Sequence, residues 1–141
     1  MQEELFLSSA MNEESDLIQA IRPELNQICS NSIRACILHC LVKAKSLNHS
    51  LSVEEIAKSI GKCHSVIIHH LEKLDRCNLI SVVKSRKYGN KQKRCIWGLN
   101  VKYHNLISIT YNHILKNFFT QAELEKMCNV NKNVRMSKFS A

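Results

Sequence analysis

Glycine and proline are nearly missing from this chain, with three of the former and one of the latter among 141 residues. So few glycines exclude the loops that cradle phosphates, and neither G-x-x-x-x-G-K-[ST] nor G-x-G-x-x-G occurs. A G-x-S-x-G nucleophile elbow is missing too. There is no apolar run of about eighteen residues, so no transmembrane helix and no membrane partner are expected. The first residues, MQEELFLSSAMNEESD, are acidic where a secretory signal would be basic, and the expectation is a soluble, cytoplasmic protein. Carboxylates number twelve, mostly in this leader and on helix faces that read as exposed, so paired acid/base groups are scarce. An enzyme is not expected and no residue is assigned a catalytic role. Cysteine is plentiful, but its seven copies are an odd number with no C-x-x-C pair, which argues against a disulfide scaffold and a zinc ribbon.

What is abundant is positive charge. The net charge is +8, unevenly spread: residues 1–27 hold six carboxylates against Arg22, a balance of −5, so the rest carries +13. A basic body behind an acidic leader points to a polyanionic partner, most simply nucleic acid, against the plainer reading of a solvated lysine-rich surface.

The organising stretch runs from Leu51 to Leu99. Ser52 followed by Glu55 forms a capping box, and Val53, Ile56, Ala57 and Ile60 recur at helical spacing. Gly61 is placed to end that helix. A second helix starts at once, with Ile67, Leu71 and Leu74 on one stripe and His64, Ser65, Ile68, His69, Glu72 and Lys73 on its other sides. Two helices joined by a three- or four-residue turn are a helix-turn-helix, whose second helix suits a DNA major groove. Leu79 to Ser85 and Arg94 to Leu99 are β-compatible, with Tyr88-Gly89-Asn90-Lys91 as turn chemistry. No acidic residue lies between Lys84 and Arg94, so this hairpin is a basic wing.

LSVEEIAKSIG and IHHLEKL, followed by CNLI, resemble the winged-helix core of ArsR-type transcriptional regulators. Those read L-S-x-x-E-[IL]-A-x-x-[LI]-G, then S-H-H-L-x-x-L, then A-G-L-[IV]. The resemblance covers roughly a third of the chain and implies a DNA-binding regulator. This chain departs from the pattern at Cys63 for a serine N-cap, at Ile68 for a polar serine and at Asn78 for glycine. Metal-sensing members of the group carry paired cysteines in the helix before the turn, and Val53 to Ile60 has none, so the resemblance brings no metal site. Cys36, His39 and Cys40 share one helix face elsewhere, but they lie in or beside an apolar stripe and read as core. No metal, cofactor or small-molecule ligand is assignable.

Around this core, residues 1–14 are expected to be a flexible acidic leader and 131–141 a flexible basic tail. Residues 15–130 then form a single domain with its winged-helix core at 32–99. Leu17, Ile18, Ile21, Leu25 and Ile28 make a helical stripe interrupted by Pro23, which predicts a break or a kink. Ile33 to Leu47 reads as a helix capped by Ser30 or Ser32, Asn100 to Phe119 as one long helix, and Gln121 to Asn129 as a short one. The expected fold class is mainly α with a small β-hairpin: a winged helix-turn-helix with flanking N- and C-terminal dimerisation helices. The flanks carry more apolar stripe than one small core needs, so a homodimer through residues 15–30 and 101–128 is expected.

The expected function is sequence-specific binding of double-stranded DNA by a transcriptional regulator, a repressor by preference. Base readout falls to His64, Ser65, Val66, Ile68 and His69 of a recognition helix over 64–76, and phosphate contact to Lys62, Lys73, Arg86, Lys87, Lys91 and Lys93. With no Arg, Asn or Gln before Arg76, that helix predicts weakly specified, AT-leaning recognition. One alternative is a protein-docking module that uses the apolar side of the same helix. Another is a DNA-binding redox sensor in which Cys63, at a helix N-terminus, is oxidised.

Overall fold

The computed structural model describes residue 16, residues 18–87 and residues 93–128, with the side chains of 84–87, 93 and 94 left aside. The expected leader and tail, the Tyr88–Lys91 turn, and Lys91 as a phosphate contact lie outside the described residues.

At the centre is helix α2 (Ser32–Ser46), in which Arg34 to Leu41 and Ala44 are all buried. A helix buried nearly all round is a core element, not an amphipathic surface one. Its N-cap is Asn31, one residue from either predicted serine: Oδ1 accepts from the amides of Ile33 (3.0 Å) and Arg34 (3.1 Å). Helix α1 (18–29) packs on α2 through Ile18, Leu25, Ile28 and Cys29. It runs through Pro23 as one helix, not as two. Proline removes the N–H that the Gln19 carbonyl would use, and Gln19 is exposed, so water can replace it.

The helix-turn-helix forms as its local chemistry dictates. Strand β1 (Leu51–Ser52) leads into α3 (Val53–Ile60), and the capping box closes: Glu55 N donates to Ser52 Oγ (3.2 Å) and Ser52 N to Glu55 Oε1 (3.1 Å). Gly61 ends α3 at φ 76°, where glycine pays no steric penalty. Helix α4 (His64–Arg76) follows, and Asn78 turns the chain at φ 64°, a left-handed position that asparagine tolerates and glycine prefers.

Strands β2 (Ile80–Lys87) and β3 (Lys93–Leu99) make the hairpin, but the sheet has three strands in the order β1-β3-β2. The two residues of β1, which read locally as a helix start, pair antiparallel with Trp97 and Ile96. A bulge between Val82 and Lys84 leaves Val83 unpaired over Gly98.

Residues 101–117 are helical but not one α-helix. A 3-10 turn (Val101–Tyr103) leads into α5 (His104–Ile109), followed by a π-helical stretch (Thr110–Ile114) and a second 3-10 turn (Leu115–Asn117). The Thr110 hydroxyl donates to the Leu106 carbonyl at 2.7 Å, competing for the acceptor a regular α-turn uses. Leu106, Ile107, Thr110, Ile114 and Leu115 of this segment are all buried within one chain. The apolar surplus expected to need a second subunit is therefore largely consumed internally. Val101 and Phe118 remain outside, at 70% and 42% exposure.

Last comes α6 (Gln121–Met127), opened by a Thr120/Glu123 capping box and anchored by the buried Leu124. The cysteines form no framework, but Cys40 of α2 is joined to Cys128 by a disulfide with Cα atoms 6.1 Å apart. Cys29, Cys36, Cys63, Cys77 and Cys95 are free thiols.

Candidate nucleic-acid interface

Helix α4 divides cleanly. Ile67, His70, Leu71 and Leu74 are buried against the body, leaving His64, Ser65, Ile68, His69, Glu72 and Asp75 exposed and Val66 half-buried. Four of the five residues expected to read bases thus share the solvent face. Lys62 is exposed in the turn and Lys73 is half-buried on α4.

Two polar devices hold α4 and were not legible as such. Arg34 is a buried cation at the junction of α1, α2 and α4: Nε donates to the Ile28 carbonyl (3.1 Å), Nη2 to the Gln27 carbonyl (3.3 Å), and Nη1 lies 3.2 Å from His70 Nδ1. It caps the C-terminus of α1 while fixing the roll of α4. The His70 ring must accept there, and burial, then the Arg34 charge, hold its pKa below the ordinary histidine value. The second device is the entry to α4. Cys63 occupies the N-cap position without capping; its sulfur instead meets Ser65 Oγ at 3.4 Å. That contact, with neighbouring backbone amides, lowers the thiol's pKa.

The hairpin supplies the clearest electrostatic feature. In the β2/β3 register Arg86 pairs with Arg94 and Lys87 with Lys93. Neither strand contains a carboxylate. Arg86, Lys87 and Lys93 are sequence-predicted phosphate contacts, and Arg94, at the end of the predicted basic wing, lies opposite Arg86 in the register.

Behind the helix-turn-helix lies a cleft of about 410 Å³, with Cys36 of α2, Lys58, Gly61 and Lys62 on one side and Lys126 and Met127 of α6 on the other. Cys36, His39 and Cys40 are buried in α2, and Cys40 is committed to sulfur. Among the described residues no group of three His, Cys, Asp or Glu side chains is gathered as a metal set would be. Likewise, no described helix is long and apolar enough to cross a membrane.

No protein-family model matches the chain, and no curated protein matches it either. Similar chain paths occur in solved structures. NadR in complex with 4-hydroxyphenylacetate is 17% identical over 93% of this chain and 86% of its own, with a TM-score of 0.46. MepR, a transcription regulator of the Staphylococcus aureus multidrug efflux pump MepA, is 20% identical over 89% and 96%, with a TM-score of 0.41. Lactococcus lactis ZitR in complex with DNA is 20% identical over 73% and 68%, with a TM-score of 0.36. At such scores these likenesses assign no ligand, partner or residue to this chain.

Proposed function

We propose that this chain is a transcriptional regulator that binds double-stranded DNA as a homodimer in the cytoplasm, with α4 in the major groove and the wing on the backbone or in the minor groove. The observation that carries the reading is the acid-free wing, in which the backbone register sets Arg86 opposite Arg94 and Lys87 opposite Lys93. Phosphates on the partner would neutralise that run of positive charge. The exposed row His64, Ser65, Ile68 and His69 supports base contact beside that wing. Ser65 and the histidines can hydrogen-bond base edges, while Ile68 and Val66 can meet thymine methyls. The ArsR-type pattern in the helix-turn-helix residues supports regulator over architectural binder, and repression is the preferred sense.

The test is binding to a mixed AT-rich duplex pool across a salt series, wild type beside a Lys87→Ala/Lys91→Ala/Lys93→Ala variant. Affinity should fall steeply with salt, with a slope shallower by about two to three in the variant. Enrichment of a two-fold symmetric site would support the dimer.

A second reading has an observation of its own. Ile68 is 44% exposed at the middle of α4, where a DNA reader would more usefully carry a polar group. An apolar patch there suits a protein partner. A folded protein that binds no duplex at low salt would favour this reading.

A further inference from the structure

Helix α6 is held to the body along one line of α2. Lys43 donates to the Glu125 carboxylate, His39 Nε2 lies 3.7 Å from Glu125 Oε1, and Cys40 is bonded to Cys128 just beyond the helix end. Positions 39, 40 and 43 face one way on α2, so these are three fastenings of one seam. The non-covalent ones are modest. A seven-residue helix has little stability of its own, and its fully buried apolar residue is Leu124. Glu125 is 39% exposed, so its ion pair is well screened. His39 Nε2 is buried with no hydrogen-bond partner among the described residues. The disulfide is the fastening that holds the seam. Both of its residues are buried, Cys40 at 0% and Cys128 at 6% exposure, and Cys128 directly follows the last residue of α6.

We propose that the Cys40–Cys128 pair is a thiol–disulfide exchange site, opened by a small thiol or dithiol reductant, and that its opening releases α6 from α2. The reductant's thiolate attacks Cys128 Sγ, at the end of α6. The S–S bond breaks and its electron pair goes to Cys40 Sγ, which takes a proton because its apolar surroundings favour the neutral thiol. A second thiolate of the reductant then attacks its own sulfur in the mixed disulfide, leaving as an oxidised disulfide and freeing Cys128, which is protonated by water. Two electrons and two protons pass from reductant to protein, and an oxidised dithiol reverses the step. The structural consequence is local. Lys126 and Met127 form one wall of the cleft whose other wall holds Gly61 and Lys62 of the helix-turn-helix. Detaching α6 opens that cleft beside a lysine that the DNA reading assigns to phosphate contact, so the effect on DNA affinity rests on that reading, whereas the exchange itself does not.

The experiment uses the full chain in oxidised and in dithiothreitol-containing buffer, wild type beside Cys128→Ser. Alkylation in denaturant should count five thiols in the oxidised wild type and seven after reduction. Amide exchange over 121–128 should quicken by about tenfold or more on reduction. Cys128→Ser should show the fast exchange in both buffers. DNA affinity should differ between buffers for the wild type and not for the variant. Seven alkylated thiols in both buffers, or unchanged exchange over 121–128 after reduction, would overturn the proposal. So would a redox effect on α6 that persists in Cys128→Ser, since it would belong to another cysteine such as the exposed Cys63. Absence of DNA binding in every sample, with the exchange difference intact, would overturn the DNA reading and leave the exchange site standing.

Discussion

Arg34 and His70 set how helix α4 responds to acid. Nδ1 of His70 accepts from Arg34, so the neutral ring carries its proton on Nε2, and a second proton would put two cations 3.2 Å apart in a buried junction. Burial and the Arg34 charge lower the His70 pKa; burial lowers that of His39 too, against an opposing pull from Glu125. The unfolded chain takes up these protons near 6.5, the folded chain at lower pH. Between those values the unfolded state binds more protons, so stability is full above about pH 7, falls as pH drops through 6.5, and levels off below the folded values. Thermal melts between about pH 8 and 5 should show that fall, and His70→Gln should shrink it; a flat wild-type profile would contradict the assigned proton positions. Gly98 offers a steric counterpart. A Cβ there would meet Val83 Cγ2 at 2.6 Å and Ser50 Oγ at 3.3 Å, and Val83 is held on the bulge. Gly98→Ala should cost about 1–3 kcal/mol in chemical denaturation while Gly61→Ala, with open space around it, suffers from its positive φ alone.

For single elements, the wing is where charge should matter most. Its backbone register sets Arg86 opposite Arg94 and Lys87 opposite Lys93, with no carboxylate on either strand. Arg94→Ala should weaken DNA binding and lower the salt slope by about 1. An unchanged salt slope would mean that Arg94 makes no phosphate contact. Helix α4 offers a second test: Cys63→Ser places a stronger hydroxyl acceptor at an N-cap position where the thiol makes no capping bond, and should add about 0.5–1 kcal/mol. These elements also show what local sequence can and cannot reveal. The Ser52–Glu55 box, Gly61, the α4 stripe and the two wing strands are written within a few residues of where they act, and all were readable. The third strand was not, because Leu51 and Ser52 pair with Trp97 and Ile96, far along the chain. The π-helical stretch opens at Thr110, whose buried hydroxyl bonds the Leu106 carbonyl, a contact no periodicity announces, and Arg34 looks like any surface arginine until α1 and α4 arrive around it. On the candidate interface, the exposed side of α4 followed from periodicity, and the basic wing from the acid-free run between Lys84 and Arg94.

Across the whole molecule, two forces on self-association oppose each other. A net charge of +8 makes like copies repel. Val101 and Phe118 are apolar and exposed at the two ends of the C-terminal helical segment, within the region proposed to dimerise. Burying them against a second copy is non-directional and gains from removal of apolar surface, while salt screens the repulsion. Self-association should therefore tighten as salt rises. DNA binding should weaken over the same range, because each phosphate contact releases counterions less favourably. Sedimentation and duplex titration on one salt series should give slopes of opposite sign. A Val101→Asp/Phe118→Asp variant should shift the sedimentation equilibrium toward monomer by about tenfold or more, and weaken DNA binding with it, because two half-sites would no longer be engaged together. If the variant sediments and binds DNA as the wild type does, the interface lies elsewhere or the chain acts alone, and the two-fold operator expected of it should be absent as well.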